Sequence, residues 1–169
     1  MSYSIRGLII PQSEERACSD HGWPVITLAA GVSLIPLDRA CLFLTEGDET
    51  PPSDDLEFNL PQWLSDIVSC FSRSAYIEAE ICGGTGMQAS VVLEQSTILS
   101  KPVISSGAIN FALRQMGIED GPSGTFFGLP VQSGKDPFDM VGLGRHRSVS
   151  AWLQEIAEQA AAGNSRRAG

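Results

Sequence analysis

The feature that most constrains the fold is a strand–glycine–strand unit near the middle of the chain. From Ala75 to Ile81 apolar and polar residues alternate, a period that is typical of a half-buried β-strand. The glycine segment Gly83-Gly84-Thr85-Gly86 follows, and Ala89 to Leu93 then predicts a second strand. A phosphate-binding loop needs a helix at that point, so we interpret the segment as a glycine-rich hairpin or bulge. Glycine also permits close approach by another backbone or a ligand, which leaves a binding edge as an alternative.

The flanking segments predict one α+β domain over residues 1–162, with a frayed tail at 163–169. Its sheet is mostly antiparallel, with a meander of successive strands and about three helices packed on it. The other predicted strands are 2–10, 25–28, 32–35 and 97–104. Helices are predicted from amphipathic segments at 64–71, at 105–117 and after Ser148. A long irregular loop is predicted from Glu119 to Pro137.

Negative charge is concentrated in the first part of the chain. The sequence holds 11 Lys+Arg and 20 Asp+Glu, a formal net charge of −9, and residues 101–169 are nearly neutral. This balance argues against coating nucleic acid or anionic lipid, because both need clusters of Lys and Arg. Six acidic residues lie in one proline-containing stretch: Glu46, Asp48, Glu49, Asp54, Asp55 and Glu57. We expect an exposed acidic loop there, either a solvated one that aids solubility or a docking site for a basic partner.

The N-terminus and the cysteines predict a cytoplasmic protein. The first apolar run ends at Pro11 and is too short for a signal peptide, and no window predicts a membrane span. The cysteines form no C-x-x-C pattern and are interpreted as reduced thiols: Cys18, Cys41, Cys70 and Cys82. An extracellular protein with two disulfides is the alternative. Neither histidine stands at ligand spacing from a cysteine, so no metal site is expected.

One pattern could carry nucleophilic catalysis. Cys82 precedes the glycine turn, His146 could act as its base, and the N–H groups of Gly83 and Gly84 could line an oxyanion site. The simpler interpretation, which we favour, is a cysteine in the core.

Two further polar groups have a functional and a structural interpretation. Glu78 and Glu80 are two residues apart on the predicted strand, so with Tyr76 they form one polar row. The row could serve acid–base chemistry or bind a metal, but a solvated face of an antiparallel sheet is the favoured interpretation. The basic cluster Arg145-His146-Arg147 could hold a phosphate or carboxylate. We favour a turn at the start of a helix that pairs with acidic neighbours.

Part of the chain resembles a family. The residues that carry the likeness are Tyr76-Ile77-Glu78-Ala79-Glu80, Gly83-Gly84-Thr85-Gly86-Met87-Gln88-Ala89 and Ala108-Ile109-Asn110-Phe111-Ala112-Leu113. This pattern, over about residues 75–117 and more weakly at Gly142–Arg147, resembles small uncharacterised bacterial proteins, some of them similar to immunity proteins of toxin systems. The resemblance implies a cytosolic α+β protein without a cofactor that binds a cognate toxin and blocks its active site.

The leading hypothesis is therefore a cytosolic protein-binding module, most concretely an immunity-type inhibitor of a toxin, with a basic toxin suited to the acidic first part. A small cofactor-free hydrolase or transferase that uses Cys82 and His146 is one alternative. A self-associating structural module with an exposed sheet edge is another. The predicted partner-binding residues are Glu46, Asp48, Glu49, Asp54, Asp55, Glu57, Glu78, Glu80, Gly83, Gly84, Gly86 and Gln88.

Overall fold

A computed structural model describes residues 2–39, 42–44, 60–83, 85–119, 124–126, 129–131 and 136–167. The strands are β1 (Ser2–Pro11), β2 (Ile26–Thr27), β3 (Val32–Pro36), β4 (Arg73–Cys82), β5 (Thr85–Glu94), β6 (Thr97–Ile98), β7 (Val103–Ile104), β8 (Gly124–Phe126) and β9 (Leu129–Val131). The α-helices are α1 (Glu15–His21), α2 (Gln62–Val68), α3 (Ala108–Gln115), α4 (Pro137–Val141) and α5 (Val149–Arg167). The predicted α+β class is confirmed.

The main sheet is antiparallel throughout, with the order β2-β3-β1-β4-β5-β6, and β7 also pairs with β5. The first strand of the sequence is thus central, between β3 and β4. β4 and β5 form a long hairpin in which Cys82 pairs with Thr85 and Arg73 pairs with Glu94. The predicted meander is present in β4, β5 and β6, whereas β1 enters the sheet from a distant part of the chain.

Helices cover both faces of this sheet. On face 1, apolar residues of β1 and β4 pack with α3, α4 and α5 in one apolar cluster. Trp152 of α5 is fully buried and is the largest side chain of this cluster. On face 2, Cys18 of α1 and Leu64 and Val68 of α2 pack over the opposite side of the same strands. Because both faces of the sheet are covered by helices, consecutive residues of its central strands are apolar. Leu8, Ile9 and Ile10 of β1 are accordingly all fully buried.

Two short turns use residues with positive φ, and one predicted strand is divided into two. The β2–β3 turn contains Ala30 and Gly31, both with positive φ, and the β5–β6 turn contains Gln95 and Ser96 in the same conformation. The segment 97–104, predicted as one strand, consists of β6 and β7, since Pro102 has no N–H to donate to the ladder.

The C-terminal part of the chain carries more regular structure than predicted. Within the expected loop Glu119–Pro137, the short strands β8 and β9 pair with each other. Ser148 caps the final helix as predicted, because its Oγ accepts a bond from the Ala151 N–H at 3.3 Å. That helix continues five residues beyond 162, where the ordered domain is predicted to end.

Candidate functional site

A fully buried carboxylate lies on face 2 of the central strand β4. Glu78 is 0% exposed, and each of its two oxygens accepts two hydrogen bonds. Oε1 accepts from the N–H groups of Phe43 (2.5 Å) and Leu44 (3.0 Å). Oε2 accepts from the N–H of Leu42 (3.0 Å) and the hydroxyl of Tyr76 (3.0 Å). Three consecutive backbone N–H groups that converge on a carboxylate make a small anion-binding nest, here filled from within the chain.

This arrangement corrects the interpretation of the polar row. Tyr76 and Glu78 are buried, so the expectation of a solvated row is wrong for both, although the predicted strand and its alternation are present. The physical reason is that α2 and the segment Leu42–Leu44 cover face 2, with the Phe43 ring 6.1 Å from the Tyr76 ring. With every oxygen bonded, Glu78 has no free lone pair aimed at a substrate, and its evident role is to hold Leu42–Leu44 on the sheet.

Glu80 differs from Glu78 although both lie on the same strand and face. Its side chain is 44% exposed, it accepts a 2.7 Å bond from the Ser4 hydroxyl, and Arg6 lies 3.7 Å away. Arg6 also donates to the carbonyl of Arg39. Glu80 therefore stays available to a partner in solution, whereas Glu78 does not.

The glycine segment is a tight β-hairpin turn, as predicted. Gly83 has a φ of +62°, which favours glycine, and Thr85 closes the turn with a 3.1 Å bond to the Cys82 carbonyl. Gly86 is required for another reason: a Cβ there would lie 2.2 Å from the Glu80 carbonyl oxygen and 2.5 Å from the Ile81 Cα. A strand follows the turn, so no helix N-terminus faces an anion at this place.

Next to this turn, the outer edge of β5 has no partner strand among the described residues. In the antiparallel ladder, alternate residues direct their N–H and carbonyl groups away from β4. Gln88 and Val92 do so, because their carbonyls accept bonds from Ser105 and Leu99. By the same alternation Gly86 faces outward, and among the described residues no strand pairs with it there. The Gln88 side chain is already engaged, since it accepts from the Ile109 N–H at 3.2 Å and so caps α3.

The proposed catalytic pair is not assembled. Cys82 is exposed at the hairpin end, so its interpretation as a core cysteine is wrong. His146 bonds Glu155 at 2.6 Å and lies edge-on to Trp152, and within the described part of the chain no hydrogen bond joins it to Cys82. Arg145 also pairs with Glu155, at 3.3 Å, which agrees with the favoured interpretation of the basic cluster.

Six of the predicted partner-binding residues, together with Gly84, lie outside the described residues and stay predictions: Glu46, Asp48, Glu49, Asp54, Asp55 and Glu57. The sequence did not indicate that Leu42–Leu44 lie beside Glu78 or that Arg6 lies beside Glu80. No local signal could have found them, because these contacts join segments that are far apart in the chain.

The described ranges contain no group of three or more His, Cys, Asp or Glu side chains arranged to hold a metal. Over the same ranges, no helix has the length and apolarity needed to cross a membrane. Comparison of the chain with protein families, curated proteins and solved structures finds no match.

Proposed function

We propose that the chain is a cytosolic protein-binding module, most concretely an immunity-type inhibitor that binds a bacterial toxin through the hairpin end of its sheet. The observation that carries the proposal is the surface at this end, which consists of Glu80, Met87 and the outer edge of β5 at Gly86. We call it the hairpin surface. It presents a carboxylate, an apolar side chain and unpaired backbone groups together, which are three kinds of contact that protein interfaces use.

The apolar contact is Met87. It is 45% exposed and lies directly across the ladder from Glu80, so the two side chains share face 2. Methionine adapts its shape to a partner more readily than branched side chains do. Among the residues whose side chains the structure describes, only two other large apolar ones are comparably exposed, Leu99 (44%) and Phe111 (36%).

The acidic stretch follows the nest closely in the sequence. Glu78 holds Leu42–Leu44 on face 2, two residues along β4 from Glu80. The acidic stretch begins two residues after Leu44 in the sequence and holds six acidic residues. Such a concentration of negative charge favours a basic partner and raises its association rate by electrostatic steering. The pattern over residues 75–117, which resembles small uncharacterised bacterial proteins, some of them similar to immunity proteins, is the reason for proposing a toxin as the partner.

Co-expression with the product of an adjacent toxin gene tests the proposal. Wild-type chain should rescue growth and copurify with the toxin. Met87→Lys should weaken binding by at least about tenfold, the effect of losing an interface anchor. Leu99→Lys is the matched control, since it adds the same charge at an equally exposed apolar residue elsewhere and should bind as wild type does. No binding by the wild type, or equal losses in both variants, would overturn the proposal.

Self-association is a second candidate, and the unpaired edge at Gly86 favours it, because two such edges can join into a continuous sheet. Light scattering at increasing concentration distinguishes it. A constant mass of 18.0 kDa eliminates self-association, and twice that mass, reduced to the monomer by Met87→Lys, supports it.

A further inference from the structure

Two thiols and an imidazole lie together where α1 meets the residues after α2. The Sγ of Cys70 lies 3.7 Å from the Nε2 of His21, within hydrogen-bond distance for sulfur. Cys18 stands one helical turn before His21 on α1 and is fully buried, and half-buried Cys70 packs against the same apolar cluster. We call these three residues the thiol cluster. It lies near the start of β4, at the opposite end of that strand from the hairpin surface.

The imidazole is held in position by aromatic packing. The His21 ring stacks on Trp23 with centroids 4.5 Å apart and an angle of 10° between the ring planes. Trp23 in turn rests on Phe71, the residue that follows Cys70, with centroids 6.0 Å apart. The His21 imidazole and the Cys70 thiol are therefore both positioned by contacts among these aromatic rings, which maintain the distance between them.

We propose that Cys70 is a modification site for small disulfides, with His21 as the base that activates its thiol. A cysteine with a histidine within hydrogen-bond reach is the usual arrangement of an activated thiol. The second acceptor near the thiol, the Asp66 carbonyl at 3.7 Å, is neutral and cannot take up a proton.

The exchange step balances without a further oxidant. His21 takes the proton of Cys70, and the thiolate attacks one sulfur of the disulfide RSSR. The new bond joins Cys70 to SR while the old S–S bond breaks, and His21 returns the proton to the leaving thiolate. The products are Cys70–S–SR and RSH.

More acidic than basic residues lie close to the cluster in sequence, where Arg16 and Arg73 are the basic ones. Asp66 and Asp20 are close to Cys70 and His21 in sequence, and Glu14 bonds both the N–H and the hydroxyl of Ser72. A cationic disulfide such as cystamine is therefore favoured over the anionic oxidised glutathione.

The other cysteines provide internal references. Cys82 is more exposed than Cys70, and among the described residues no imidazole contacts it. Burial, with a smaller contribution from Glu15, raises the pKa of Cys18 to about 11, which keeps that thiol protonated at neutral pH. Accessibility alone thus predicts that Cys82 reacts before Cys70, whereas activation by His21 predicts the reverse order.

The test is to treat the full chain with cystamine at pH 7, quench with acid and measure modification of each cysteine by peptide mass spectrometry. Cys70 should react about tenfold faster than Cys82, a conservative share of what a positioned base contributes. His21→Gln should remove this advantage, and His21→Phe, which retains the ring stacked on Trp23, should do the same. His146→Gln is the matched control and should leave the rate of Cys70 unchanged.

Two results would overturn the proposal: Cys70 reacting no faster than Cys82, or both His21 variants reacting at the wild-type rate. Failure of partner binding has no bearing on this outcome, because the thiol cluster and the hairpin surface share no residue.

Discussion

Replacing Glu78 with glutamine tests whether the buried carboxylate attaches Leu42–Leu44 to the sheet. The two side chains have nearly the same shape, so the substitution leaves no cavity. Glutamine keeps one acceptor oxygen, which can serve the N–H groups of Phe43 and Leu44. Its amide NH₂ would face the N–H of Leu42, where the structure has an acceptor. The Tyr76 hydroxyl can rotate to accept from one N–H of that amide, which leaves at least two donors unsatisfied, the Leu42 N–H and the second amide N–H.

The cost follows from these bonds. A buried donor without a partner costs about 1–3 kcal/mol, and bonds to a charged acceptor are worth about twice as much as neutral ones. Two orphaned N–H groups and the loss of charge assistance at the N–H groups of Phe43 and Leu44 together predict at least about 3 kcal/mol. The cost cannot exceed the free energy needed to release Leu42–Leu44 from the sheet, because detachment of the segment is the alternative response.

Urea denaturation measures the change in unfolding free energy, and amide hydrogen exchange at Leu42, Phe43 and Leu44 measures release of the segment. Glu80→Gln is the matched control, since it is the same substitution on the same strand and face at a largely exposed site. It should cost less than about 1 kcal/mol, as exposed ion pairs do. If Glu78→Gln changes stability no more than Glu80→Gln and the three amides remain protected, the nest does not hold the segment.

Two more predictions concern the hairpin and the alkaline limit of stability. Gly86→Ala should lower the unfolding free energy in urea by about 1–3 kcal/mol, because the added Cβ overlaps the Glu80 carbonyl. Gly144→Ala is the control and should change stability little, because a Cβ there would meet only ordinary contacts at 3.4 Å. The pKa of Cys18 is about 11 in the folded chain and 9.0 in an exposed reference, so its contribution is fully present below about pH 9 and is lost as the pH rises to 11. Wild type should therefore lose up to about 2.7 kcal/mol more than Cys18→Ala between these pH values, and parallel pH profiles would refute this assignment.

The hairpin was predictable because its determinants are local. Alternation over 75–81, two adjacent glycines and a second apolar run specify two strands and a short turn, and β4 and β5 follow them closely.

The environment of β4 was predicted less well because it depends on distant segments. The alternation of apolar and polar residues in β4 indicated one solvent-exposed face, but α2 and Leu42–Leu44 cover that face. Burial of both faces of the sheet was indicated by the neighbouring strands. There the runs Leu8-Ile9-Ile10 and Val91-Val92-Leu93 place apolar residues on both faces of the sheet. The contact between His21 and Cys70 spans 49 residues and has no counterpart in local pattern.

The central position of β1 has a practical consequence for capture experiments. Ser2 pairs with Cys82, so a peptide fused ahead of Met1 would emerge beside the hairpin turn and compete with a partner for that surface. The N–H of Ser4 bonds the carbonyl of Arg147, which places the start of α5 close to the same end. From there the helix extends about 28 Å over its 19 residues, so its last residue, Arg167, lies about that far from the start of the helix. An immobilised chain should therefore be anchored by its C-terminus.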